Sequence, residues 1–249
     1  MGSKGLSVIG VTSAGKGPTQ KWIAKHGAKY AYGYDTSREL SKYLGVSGIP
    51  NAVVVSAAGK IVWQGHPSGL TKEIIAPHLA GAISRPMWDW PKNSSAIAKS
   101  LKKSAISKAK KAADSLSQSG DAFGKELVAC IDAIVDGKVN AIQADFEAGR
   151  FLQVSEACKA AKKSLVGLPA AKTVQEISAR MKTDRSSKKT IAMQKHLRKM
   201  TAEPPRSARD AQKLIEQLKK FQRKAKGTVA AKEAKEAIAG LEALARRAR

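Results

Sequence analysis

Tyr43-Leu44-Gly45-Val46-Ser47-Gly48-Ile49-Pro50, followed directly by Asn51 and the apolar run Ala52-Val53-Val54-Val55, decides how the first third of this 249-residue chain is read. A turn punctuated by glycines ends on a proline, which has no N–H to give a sheet, and a β-branched run begins at once behind it. The stretch therefore reads as a loop feeding a buried strand over Asn51 to Ala57. Ala58-Gly59 is then a tight turn, with Gly59 supplying the positive φ, and Lys60-Ile61-Val62-Trp63-Gln64 is the antiparallel partner.

Outward from this hairpin the same signals recur. Leu6 to Val11, bounded by Gly5 and by Thr12-Ser13-Ala14-Gly15, has the pattern of a short buried strand. A helix follows, with Pro18 at its first position and Gly27 closing it. Lys29-Tyr30-Ala31-Tyr32 alternates as an edge strand does. Thr36-Ser37-Arg38-Glu39 is a capping-box pattern opening a helix through Leu44, which Gly45 caps. Thr71 to Ala82 reads as a helix with Ile74, Ile75, Leu79 and Ile83 on its apolar side, bent at Pro77.

With Tyr43, Gly45, Val46, Gly48, Ile49, Pro50, Gly59, Lys60 and Ile61 at the positions of Y-G-V-x-G-x-P and D-G-K-I patterns, residues 4–84 resemble the TlpA-like, or redoxin, branch of the thioredoxin superfamily. The resemblance implies an α/β thioredoxin-like domain over 1–84 and a thiol–disulfide oxidoreductase ancestry. It also implies that Gly48, Ile49, Pro50 and Asn51 form a cis-proline loop, which offers backbone to a thiol or disulfide protein. Asn51 stands where the family commonly has Thr. The family's first central strand and its C-x-x-C helix would precede Leu6, so the domain is expected to be incomplete and the chain a fragment of a longer one. Thiol–disulfide exchange needs two cysteines so spaced, one to attack and one to resolve. The chain has only Cys130 and Cys158, so no catalytic residue is assigned and the chain is expected to be inactive as it stands. Without the central strand, those at Leu6 to Val11 and Ala52 to Val55 must pair directly or stand about 10 Å apart. A parent following its family would be extracytoplasmic or membrane-tethered.

Gly10-Val11-Thr12-Ser13-Ala14-Gly15-Lys16 meets most of the phosphate-loop pattern G-x-x-x-x-G-K, between a strand and a helix. The magnesium-binding Ser or Thr should come next, and Gly17 stands there. A plain glycine-rich turn is the better reading.

Beyond Arg85 the composition changes. Residues 85–95, with Pro86, Pro91, Trp88 and Trp90, read as a join, and 96–249 as an all-helical region. Of the formal charge of +25, residues 1–85 supply ten Lys/Arg against three Asp/Glu, and the remainder thirty-five against seventeen. Such a surplus suits polyanions or anionic membranes. Ser94 to Gln118 reads as one helix carrying Lys99, Lys102, Lys103, Lys108, Lys110 and Lys111 opposite an apolar stripe, and these six are the candidate polyanion contacts. The absence of any aromatic residue between Trp90 and Phe123 argues against stacked single strands. Asp121 to Val135 continues as helix, with Cys130 beside Leu127 and Ile131.

Gly167-Leu168-Pro169-Ala170-Ala171-Lys172 with Glu176 matches Gly227-Thr228-Val229-Ala230-Ala231-Lys232 with Glu236, sixty residues on. Each is flanked by amphipathic helices, with a further helix over Ser186 to Thr201 between them. The pattern loosely resembles tetratricopeptide-type helical hairpins, units that bind partners or brace a neighbour. This makes a non-enzymatic basic scaffold for nucleic acid, acidic protein or anionic membrane the alternative function. Cys158, within Val154 to Leu165, reads as a small buried apolar residue. His26, His66, His78 and His196 are scattered, so neither a metal site nor a cofactor is expected. Asp132 and Asp136 read as surface charge. No run reaches the ~18 apolar residues of a membrane span.

Overall fold

The computed structural model describes residues 2–203, 205 and 207–247. It is 66% helical, and its strands form two separate two-stranded sheets. This overturns the expectation of an α/β thioredoxin-like domain. Such a fold needs one sheet with a central strand joining its halves, whereas here the strands on either side of that place share no ladder.

The chain divides into two compact units, Met1–Gly137 and Lys138–Arg249. In the first, β1 (Ile9–Thr12), α1 (Lys16–His26) and β2 (Ala31–Tyr34) form a parallel pair with Ile9 opposite Ala31. After α2 (Glu39–Tyr43), β3 (Ala52–Val55) and β4 (Ile61–Gly65) form an antiparallel hairpin, irregular at Val54 and Val55. The strands at Leu6 to Val11 and Asn51 to Ala57 are expected to be buried and are not: Ile9 and Val11 are each 52% exposed and Val55 58%. Among the described residues before Arg85, Ile75 is the one buried apolar side chain.

Local chemistry explains several boundaries. Gly27 closes α1 in the left-handed conformation, φ 64°. The expected capping box at Thr36 gives way to Asp35, whose carboxylate accepts the N–H groups of Leu40 and Ser41 at 3.1 and 2.9 Å. Pro77 stops the α-turns of α3 (Lys72–Ile75) and the chain goes on as a 3-10 turn over Ala76–His78, since proline cannot donate the next helical bond. The single helix expected over Ser94 to Gln118 is two, α4 (Ser95–Lys102) and α5 (Ile106–Gln118), broken where Ser104 takes φ 56°. In the join, Trp90 donates its indole N–H to the Arg85 carbonyl at 3.1 Å and meets the Phe123 ring edge-on. The core of this unit is helical: Ile97, Ile106, Ala109, Leu127 and Ile131 from α4, α5 and α6 (Ala122–Glu147).

The second unit contains α7 (Phe151–Ser164), α8 (Ala170–Thr183), α9 (Arg185–Met200), α10 (Ala208–Lys224) and α11 (Val229–Arg247). The matching segments at Gly167 and Gly227 are the turns of two helical hairpins, α7–α8 and α10–α11, and both glycines have positive φ, 80° and 83°. The backbone bonding is equivalent through both turns. Leu165 donates to Ala161 and Leu168 to Leu165, as Ala225 donates to Phe221 and Thr228 to Ala225. Leu165 and Ala225 are both fully buried. Between the hairpins lies α9, buried along Ser187, Thr190, Gln194 and Leu197, a three-and-four spacing that fixes which face remains outside.

Candidate functional site

Gly48, Ile49, Pro50 and Asn51 lie on an exposed turn between α2 and β3, with Ile49 91% exposed. The Ile49–Pro50 peptide is cis. Gln64 of β4 steadies the turn, donating its amide N–H to the Leu44 carbonyl at 2.9 Å and to Asn51 Oδ1 at 3.4 Å. The structure brings no cysteine into this turn. Cys130 lies in α6 of the first unit and Cys158 in α7 of the second, both buried, and burial pushes both thiols up. A thiol held in its neutral form is a poor nucleophile.

The glycine-rich segment at Gly10 has a packing explanation. A Cβ on Gly10 would stand 2.9 Å from the rings of both Tyr30 and Tyr32, which stack with centroids 4.9 Å apart. Gly10 makes room for these rings.

The six lysines expected to meet polyanions lie on two helices and the turn between them rather than on one helix. Lys99 and Lys102 ride on α4, with Lys103 just after it, while Lys108, Lys110 and Lys111 are on α5 beyond the break at Ser104. Lys110 is half-buried and salt-bridged to Asp114 at 3.1 Å and Asp132 at 2.9 Å. Desolvation works against its charge, but the bonds to the two carboxylates outweigh it and raise its pKa. Lys110 is thus spoken for within its own unit. The other five are exposed.

A stronger cationic surface lies in the second unit, where residues 138–249 carry 27 Lys/Arg against 11 Asp/Glu. Helix α9 contains six Lys/Arg and no carboxylate. Its exposed face runs Arg185, Lys188, Lys189, Ala192, Lys195, His196 and Lys199, successive positions on one side of a helix. The carboxylates that bond to α9 are engaged elsewhere. Asp184 caps its N-terminus, accepting the Ser187 and Ser186 hydroxyls and both their N–H groups, and these bonds hold its carboxyl down at about 2. Glu156 takes both guanidinium nitrogens of Arg198, at 2.6 and 3.0 Å, which lowers its pKa. Glu233 accepts the Gln194 amide N–H at 3.0 Å. Among the described residues, Lys188, Lys189, Lys195 and Lys199 form no salt bridge.

Two grooves flank this helix. One, of about 260 Å³, lies between α9 and the α7–α8 hairpin, with Lys159, Lys162, Lys182 and Lys188 around Met181 and Cys158. The other, of about 600 Å³, opens between α9 and α10. The signal for α9 was in the sequence, because residues 185–199 contain six basic and no acidic residues. Which of them face outward depended on the packing of the helix. Among the described residues, no group of three or more His, Cys, Asp or Glu side chains is placed to hold a metal ion.

Comparisons with protein-family models, with curated proteins and with solved structures find no significant match to this chain.

Proposed function

We propose that residues 138–249 are a non-enzymatic binding module for anionic partners, with the exposed face of α9 as its contact. One observation carries this reading: Arg185, Lys188, Lys189, Lys195 and Lys199 share one outer side of a helix that has no carboxylate of its own. Like charges placed side by side repel, and a dense anionic partner relieves that repulsion while releasing its own counterions. The buried side of α9 holds this array on a packed scaffold. Lys99, Lys102, Lys103, Lys108 and Lys111 of the first unit form a sparser set, divided by the break at Ser104.

The test is retention on heparin and on a 20-base-pair DNA duplex as salt is raised. The quadruple substitution Lys188→Ala, Lys189→Ala, Lys195→Ala and Lys199→Ala is expected to lower the slope of log affinity against log salt by about 3 to 4. Alanine at Lys99, Lys102 and Lys103 is expected to change it less. Retention that survives the α9 substitutions unchanged, or no retention of the parent chain at low salt, contradicts the proposal.

A further inference from the structure

Phosphate groups alone have no use for the floor of the larger groove. On the α9 side it is built by Ala192, Met193 and Met200, and on the α10 side by Phe221. Each wall is a stripe at three-and-four spacing, so the trough runs between two helices. Lys189 lines it from α9, Lys220 and Lys224 from α10, and among the described residues no carboxylate lines it. Phe221 is 7% exposed and its ring lies 5.7 Å from that of His196. It is a floor residue, too recessed to act as a stacking platform for a base.

An apolar floor between cationic rims is complementary to a helix that has an apolar stripe flanked by carboxylates. Such a helix seats its side chains at i, i+3, i+4 and i+7 into a trough of this kind. Methionine suits the floor because its unbranched, polarizable side chain adapts to whatever is laid against it. We infer that the groove between α9 and α10 is the docking site for an acidic amphipathic helix of a partner protein, with Lys189, Lys220 and Lys224 pairing its glutamates or aspartates. This inference rests on the α9 face being the anion contact and names the class of anion it takes. Duplex nucleic acid could satisfy the lysines but would leave Ala192, Met193 and Met200 uncovered.

The experiment uses the full chain and a fluorescein-labelled 20-residue peptide with leucines at helical spacing and glutamates on both flanks. A scrambled peptide of the same composition and a 20-base-pair DNA duplex serve as competitors. Ala192→Trp fills the trough without changing its charge, at a position exposed on α9, and circular dichroism checks that the variant is folded. The amphipathic peptide is expected to raise anisotropy, the scrambled one to bind at least tenfold more weakly, and Ala192→Trp to weaken the amphipathic peptide at least tenfold. Equal binding of the two peptides, or indifference to Ala192→Trp, overturns the groove inference and leaves the anion-binding proposal standing. Failure of peptide, DNA and heparin together removes both. Concentration-dependent dimerisation abolished by Ala192→Trp overturns the inference in favour of a second copy of this chain.

Discussion

The side-chain carbonyl of Gln194 accepts the backbone N–H of Leu152 at 2.9 Å, across 42 residues of sequence. Leu152 sits in the first turn of α7, where an N–H has no partner within its own helix. Helix α9 therefore caps α7 from outside, and the Gln194 amide also donates to Glu233 of α11 at 3.0 Å. One buried glutamine ties three helices together. Replacing it by leucine strands the Leu152 N–H and is expected to destabilise the chain by about 1–3 kcal/mol. A urea-unfolding midpoint equal to that of the parent contradicts this.

The cap on α9 gives a pH dependence. The Asp184 carboxyl sits at about 2, against an ordinary 3.8, because its ionised form accepts the Ser187 and Ser186 hydroxyls and N–H groups. A lowered folded-state value means that the carboxylate stabilises above its unfolded value and loses that contribution as pH falls from there towards about 2. Asp184→Asn keeps a cap oxygen but not the charge. The thermal midpoint of the parent should exceed that of the variant at neutral pH, and the gap should close on acidification through this window. A gap constant with pH contradicts the assignment.

Glycine in a helix is ordinarily improved by alanine, by about 1 kcal/mol. At Gly124 the sign should reverse. A Cβ there would stand 2.7 Å from the backbone N of Ser117 and 2.8 Å from the carbonyl carbon of Leu116, atoms that no rotamer change can move aside. Gly124→Ala is expected to cost about 1–3 kcal/mol, as overpacking does, measured by thermal or urea unfolding.

Cys130 and Cys158 are 8% and 5% exposed, and their thiols are pushed up by burial. Iodoacetamide should label both at least about tenfold more slowly in the folded chain than in denaturant, since only the accessible thiolate reacts. Rapid native labelling, or reduction of insulin by the chain, contradicts the expectation that these cysteines are inert.

Several turns of this architecture could be read in the residues. The hairpin about Gly59, the cap at Gly27 and the sixty-residue spacing of Gly167 and Gly227 each mark a place where the backbone turns with positive φ, a conformation that glycine adopts at no side-chain cost. What a run such as Val53-Val54-Val55 cannot report is whether another strand lies beside it. Apolar content indicates a strand, but sheet size depends on partners distant in sequence, and the expected α/β fold failed for this reason. The break at Ser104 was hidden because serine carries no mark of positive φ. The basic run over 185–199 was legible, yet its sharing into an outer face, a pair with Glu156 and a groove wall is set by α7, α8, α10 and α11.

Among the described residues, each of the four strands has a hydrogen-bonded neighbour strand on one side only. Their outer rims therefore carry amide and carbonyl groups that no further strand pairs, beside Ile9, Val11, Val55 and Ile61, all of them exposed. Such rims act as templates on which further chain can be laid down as cross-β layers. Fibrillisation of the concentrated protein should thus start within residues 9–65, and a lysine at Val11 or Val55 should delay the rise of thioflavin T fluorescence.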